Sequence, residues 1–136
     1  MVRKVVVSWT GLTGTLDLAS LPTSIKSLNL GSNRFTGSIS FERLPEWMQC
    51  SNVSNNELSG SFKLESLPKA MTDFYASTNQ FSGSVDLTRL PASLQSLSLI
   101  ENHLSVKKSY LGRTGTARYD AQKTRAPALG MYQAEA

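Results

Sequence analysis

Apolar and polar residues alternate in short stretches that recur at a fixed interval along the chain. In Ser27-Leu28-Asn29-Leu30-Gly31, Leu28 and Leu30 point one way and Ser27, Asn29 and Gly31 the other, the pattern of a short half-buried strand. The pattern returns every 23 residues and predicts strands at residues 4–8, 27–31, 50–54, 73–77 and 96–100. Further apolar columns keep the same step: Leu12, Phe35, Leu58, Phe81 and Leu104; Leu16, Ile39, Phe62 and Val85; Leu18, Phe41, Leu64 and Leu87; Val2, Ile25, Met48, Met71 and Leu94. So do the dipeptides Leu21-Pro22, Leu44-Pro45, Leu67-Pro68 and Leu90-Pro91, and the glycines Gly14, Gly37, Gly60 and Gly83. A fixed period of this length, with no gap, predicts a stack of identical coils rather than a single folded core.

Within each unit the connection from glycine to the next strand is short and carries a proline, so helix is expected to be scarce. The Ser/Thr-apolar-x-apolar run after each glycine predicts a second short extended piece on the flank, and Leu-Pro a tight turn. Asn33, Asn56, Asn79 and Asn102 follow their strands and are expected to turn inward. There each amide bonds backbone groups of its own coil and the next.

The run Ile25-x-x-Leu28-x-Leu30-x-x-Asn33-x-Phe35, echoed by Leu94-x-x-Leu97-x-Leu99-x-x-Asn102-x-Leu104, resembles the leucine-rich repeat signature. Phe81-Ser-Gly-Ser-Val-Asp-Leu-Thr-Arg-Leu-Pro91 is similar to the version found in leucine-rich repeat proteins of trypanosomatid protozoa, and more distantly to the plant type. Bacterial effector ubiquitin ligases share a Leu-Pro repeat, but theirs is shorter and lacks the Ser-Gly-Ser segment. The resemblance spans residues 2–105. It implies a β-rich solenoid of about 4.5 repeats, with stacked short parallel strands and a concave strand face that binds other proteins.

Charge divides the chain at Ser105. Residues 1–105 hold eight Lys/Arg and eight Asp/Glu, whereas residues 106–136 hold six against two and carry the whole net charge of +4. The apolar columns also stop there, and residues 106–136 are expected to be a basic, mostly irregular or disordered tail with a short helical turn around Tyr119–Thr124. Nucleic-acid or acidic-surface binding through this tail is the alternative to protein binding, disfavoured because the charges are loosely spaced.

One cysteine (Cys50) and one histidine (His103) exclude an internal disulfide and leave too few soft ligands for a structural zinc site, so no metal or cofactor is expected. An enzyme is not expected either. A hydrolase built on Asp73, His103 and a serine fails because the two lie in different parts of neighbouring coils. Cys50 has no cation beside it in its own coil and is expected to be inert. No apolar run approaches the length of a membrane span, and Arg3-Lys4 lead into no secretory segment, which favours the cytoplasm.

The outward strand columns are Lys4, Ser27, Cys50, Asp73 and Ser96; Val6, Asn29, Asn52, Tyr75 and Ser98; and Ser8, Gly31, Ser54, Ser77 and Ile100. Tyr75 is the one large amphipathic side chain among them, the residue type in which binding energy concentrates. Tyr75, Asp73, Asn52, Ser98 and Asn29 are therefore the expected partner surface of a non-catalytic binding scaffold. Trp9 is expected to cover the open first coil, and Trp47 to pack over the gap left where Ser51 replaces an apolar residue. Val2, Val5 and Val7 begin inside a repeat, and Val5 to Val7 form an open apolar edge. That edge suits a fragment, a truncated member or self-association.

Overall fold

A strand of three residues cannot bury a face alone and persists only as a rung of a larger ladder. In the computed structural model, which describes residues 2–108, 117–120 and 131–134, that ladder is built twice. Strands β1 (Lys4–Val6), β3 (Ser27–Asn29), β5 (Cys50–Asn52), β7 (Asp73–Tyr75) and β9 (Ser96–Ser98) lie parallel in a first sheet. A second parallel sheet holds β2 (Thr13–Thr15), β4 (Arg34–Ser38), β6 (Glu57–Gly60), β8 (Gln80–Asp86) and β10 (His103–Lys108). One 3-10 turn closes each of four units, at Leu18–Ser20, Phe41–Arg43, Leu64–Ser66 and Leu87–Arg89. Each ends on a leucine held extended by the proline that follows, with φ from −65 to −74°. The described residues contain no α-helix.

The first-sheet strands start where the alternation places them but stop two residues sooner. Beyond the third residue the backbone swings toward the second sheet while still bonding the neighbouring coil, as in Leu30 N to Asn52 O at 2.8 Å and Ser32 N to Ser54 O at 2.9 Å. The swing passes through a left-handed residue in every coil: Trp9, Ser32, Asn55, Thr78 and Glu101 have φ between 54 and 59°. Trp9 is 84% exposed and Trp47 is 64% exposed, so neither covers the core as expected. Trp9 sits on the outside of this left-handed turn, and Trp47 projects from the loop after Pro45.

The two sheets differ in register. The first pairs residues 23 apart, such as Leu28 with Ser51 and Ser51 with Phe74. The second pairs residues 21 apart, such as Gly37 with Leu58 and Gly60 with Phe81. In β8 the strand continues past Gly83 through Ser84 and Val85, as expected, but β2, β4 and β6 run up to their glycines and end at or one residue past them, which corrects the expected position of the flank strand in those coils. Gly60 shows why that column is glycine: its φ is +87°, and a Cβ there would stand 2.9 Å from Cβ of Ser38.

The core lies between the sheets. Ile25, Met48, Met71 and Leu94 fill one column of it, and Phe35, Leu58, Phe81 and Leu104 another. At its centre, edge-to-face phenylalanine pairs cross between coils: Phe41 with Phe62 at 5.1 Å and with Phe74 at 5.0 Å, and Phe62 with Phe81 at 4.9 Å. The first coil is open by comparison, leaving Val2, Val6 and Leu12 exposed at the β1 side. Ser51 is fully buried in the column of Leu28, Phe74 and Leu97, and its hydroxyl has no hydrogen-bond partner. Ser51→Ala removes that desolvated group and is expected to raise stability by about 1 kcal/mol, read from the urea midpoint; an unchanged or lower midpoint contradicts it.

The tail departs from its expected irregularity where it is described. β10 continues to Lys108, and β11 (Ala117–Asp120) and β12 (Met131–Ala134) are strands. β12 pairs antiparallel with β9 on one side and with β11 on the other, extending the first sheet to seven strands. The unpaired backbone groups of β9 explain this, because a free sheet edge takes up any strand that can reach it. Of the expected turn at Tyr119–Thr124, Tyr119 and Asp120 are strand, and the remainder lies outside the described residues.

Candidate functional site

The 23-residue register of the first sheet sets side chains from successive coils side by side. Cys50 stands between Ser27 and Asp73, Asp73 beside Ser96, and Asn52 between Asn29 and Tyr75. All of these are half-buried, because their neighbours in the ladder cover their flanks while the tips reach solvent. The Tyr75 hydroxyl donates to Asp73 Oδ1 at 3.3 Å, and Thr72 Oγ1 donates to Asp73 Oδ2 at 2.8 Å. The ring is therefore held over the β7 strand by a carboxylate that is itself fixed. Burial, followed by the nearby Asp73 charge, pushes the phenol of Tyr75 upward, against a lowering hydrogen bond from Ser96. It remains a neutral donor at physiological pH.

Asn29 and Asn52 turn their amide oxygens forward along the chain, accepting from Gly31 N at 3.0 Å and Ser54 N at 2.9 Å, two residues on. Fixed by these local bonds, they present a pre-ordered polar strip beside Tyr75. Ser98 does not join them. It is 6% exposed, since β12 lies against β9 with Met131 opposite Ser98, and it is removed from the expected surface. Ser54 is buried as well and accepts from both the N–H and the hydroxyl of Ser77, at 3.0 and 3.1 Å.

Cys50 lies on the same face. Burial and then the Asp73 charge push its thiol up, with Ser27 and Lys4 pulling weakly the other way. The thiol stays protonated and poorly nucleophilic. Asp73 belongs to the first sheet and His103 to the second, so the structure does not bring them together as an acid–base pair. No group of three His, Cys, Asp or Glu side chains that could hold a metal ion occurs among the described residues, and no described helix is long and apolar enough to cross a membrane.

The inward asparagines are spent on structure, as expected, but they reach back to the preceding coil rather than on to the next. Asn56 Nδ2 donates to Val53 O at 3.1 Å in its own coil and to Leu30 O at 3.0 Å in the one before, while its Oδ1 accepts from Phe35 N at 3.0 Å. Asn79 and Asn102 repeat the arrangement.

The flank, where the sequence pattern predicts only a short extended piece, also carries a set of concave features. Between the 3-10 turns and the second sheet, successive coils leave clefts of about 460, 240 and 320 Å³. The available signal was the Thr15, Ser38, Ser61, Ser84 column, whose small side chains leave room that larger ones would fill. No protein-family model matches the chain, and no curated protein matches it.

Proposed function

We propose that the chain is a leucine-rich repeat solenoid acting as a non-catalytic protein-binding module, with the strand face of its first sheet as the contact surface. The observation that carries this reading is the in-register ladder, which merges Asn29, Asn52, Asp73 and Tyr75 into one patch. The inward positions are committed to the core, and this face aligns side chains from every coil of the first sheet. The leucine-rich assignment rests on the Leu28, Leu30, Asn33 pattern, on strands that restart every 23 residues, and on the asparagine bonds that tie coils together. A protein partner fits the patch better than a small molecule does: it is a strip of half-buried polar tips around a single aromatic anchor.

Tyr75→Ala is expected to weaken the partner by about 2 kcal/mol, roughly thirtyfold in affinity, because it removes the one aromatic anchor. The measurement is capture of partners on the immobilised full chain, with Leu97→Ala as a folding control and circular dichroism on both. Retention of every partner by a folded Tyr75→Ala protein would move the site elsewhere.

A further inference from the structure

The flank clefts follow one another along the stack. The first is lined by Leu16 and Asp17 of one coil and Ser38, Ser40 and Arg43 of the next. The second shares Ser38 and Ser40 and adds Ser61, Phe62 and Lys63; the third shares Phe62 and Lys63 and adds Ser84, Asp86 and Arg89. Shared walls make them one trough crossing four coils.

We propose that this trough is a second binding site, separate from the strand face, for a neutral, linear, β-linked oligosaccharide. Three properties select that ligand. The first is charge. Asp17, Glu42, Glu65 and Asp86 offset Arg43, Lys63 and Arg89 along the walls, and Arg89 is already engaged with Asp86 at 3.5 Å. A balanced wall gains little from a polyanion, and no exposed aromatic platform lines it for nucleobases.

The second is donor chemistry. The Ser38, Ser40 and Ser61 side chains are exposed, and their hydroxyls have no partner among the described residues. Charged groups alternate with these hydroxyls above a floor of Ile39, Phe62 and Val85. Hydroxyls and charges suit sugar hydroxyl groups, and the apolar floor suits the C–H faces of pyranose rings.

The third is pitch. Coils repeat at the strand spacing of about 4.8 Å, whereas an extended peptide repeats a side-chain face every ~6.6 Å and would fall out of phase within two coils. A β-linked pyranose chain advances by close to one ring per coil, so each ring meets the same wall. The strands that bound the trough are moreover already paired in the second sheet, which leaves an added peptide no free backbone edge there.

The test is a titration of the full chain with cellohexaose, followed by backbone amide shifts. Saturable shifts are expected at Ser38, Ser61, Lys63 and Arg89, with the amides of Asn29, Asn52 and Tyr75 unmoved. Ser40→Leu narrows the first two clefts at an exposed position whose side chain makes no cap bond, and is expected to weaken cellohexaose about tenfold with an unchanged thermal midpoint. Arg89→Ala, at the far end of the trough, serves as the second variant and is expected to act in the same direction. Absence of saturable shifts up to the millimolar range overturns the proposal. So do shifts confined to the strand face, equal affinity for a hexaserine peptide, or unchanged affinity in both variants.

Discussion

Asn79→Ala is expected to destabilise the chain by about 3–5 kcal/mol, enough to unfold most of a marginal domain. The amide of Asn79 is buried and fully used. Its Oδ1 accepts from Leu58 N at 3.0 Å, and its Nδ2 donates to Val53 O at 3.0 Å, Ala76 O at 3.3 Å and Ser77 O at 3.1 Å. Truncation strands a backbone N–H and carbonyls in the interior, where water cannot replace the lost partner, and each orphaned group costs on the order of 1–3 kcal/mol. Asp at this position is no rescue, because a carboxylate accepts from Leu58 but repels the three carbonyls. Asn29→Ala is the internal control. The same residue type there makes one local bond on a half-exposed face, so its loss is expected to shift stability by about 1 kcal/mol or less. Urea midpoints of the two variants decide the matter, and equal midpoints would show that the inward ladder does not tie the coils together.

That contrast also shows how far the sequence could be read. Position alone distinguishes the two asparagines: Asn79 recurs every 23 residues with Asn33, Asn56 and Asn102, whereas the column of Asn29 also holds Val6, Tyr75 and Ser98. A side chain repeated in every coil is committed to what every coil must do, and so the strand starts, the inward columns and the structural role of the asparagines were all legible. What escaped depends on geometry between coils. The 21-residue register of the second sheet has no sequence marker, because it arises when the Asn79 amide grips Leu58 and sets Gln80 opposite Ser59. The left-handed turn through Trp9, Ser32, Asn55, Thr78 and Glu101 was hidden by its varied residue types, none of them glycine. Ser98 was misjudged for a related reason. Its column faces outward in phase with Tyr75, but β12 comes from sequence outside the repeat, where the period has nothing to say. The flank trough went unread because space left by small side chains appears only once coils are stacked.

Phe41→Ala is expected to cost about 3–5 kcal/mol, the range for emptying a buried aromatic site. Phe41 is 2% exposed and stands against three rings: Phe62, Phe74 and Phe81, with centroids at 5.1, 5.0 and 6.3 Å. The first two contacts are nearly perpendicular, at 86 and 89°, the edge-to-face geometry that adds to area burial. These rings span three coils, Phe74 and Phe81 sharing one, so the cavity would open across coil boundaries and weaken the coupling between units as well as one unit. Because Phe41 reaches rings two coils away as well as in the adjacent coil, such a break divides the stack. The first coils, already open at Val2 and Leu12, are then expected to lose amide protection before the Leu94 and Leu104 end. Phe41→Leu, which keeps most of the volume but not the edge contacts, is expected to cost less, about 1–2 kcal/mol. Hydrogen exchange measured coil by coil provides the reading. If Phe41→Ala lowers protection evenly from β1 to β10, the aromatic cluster contributes only bulk and the coils unfold as one unit regardless of it.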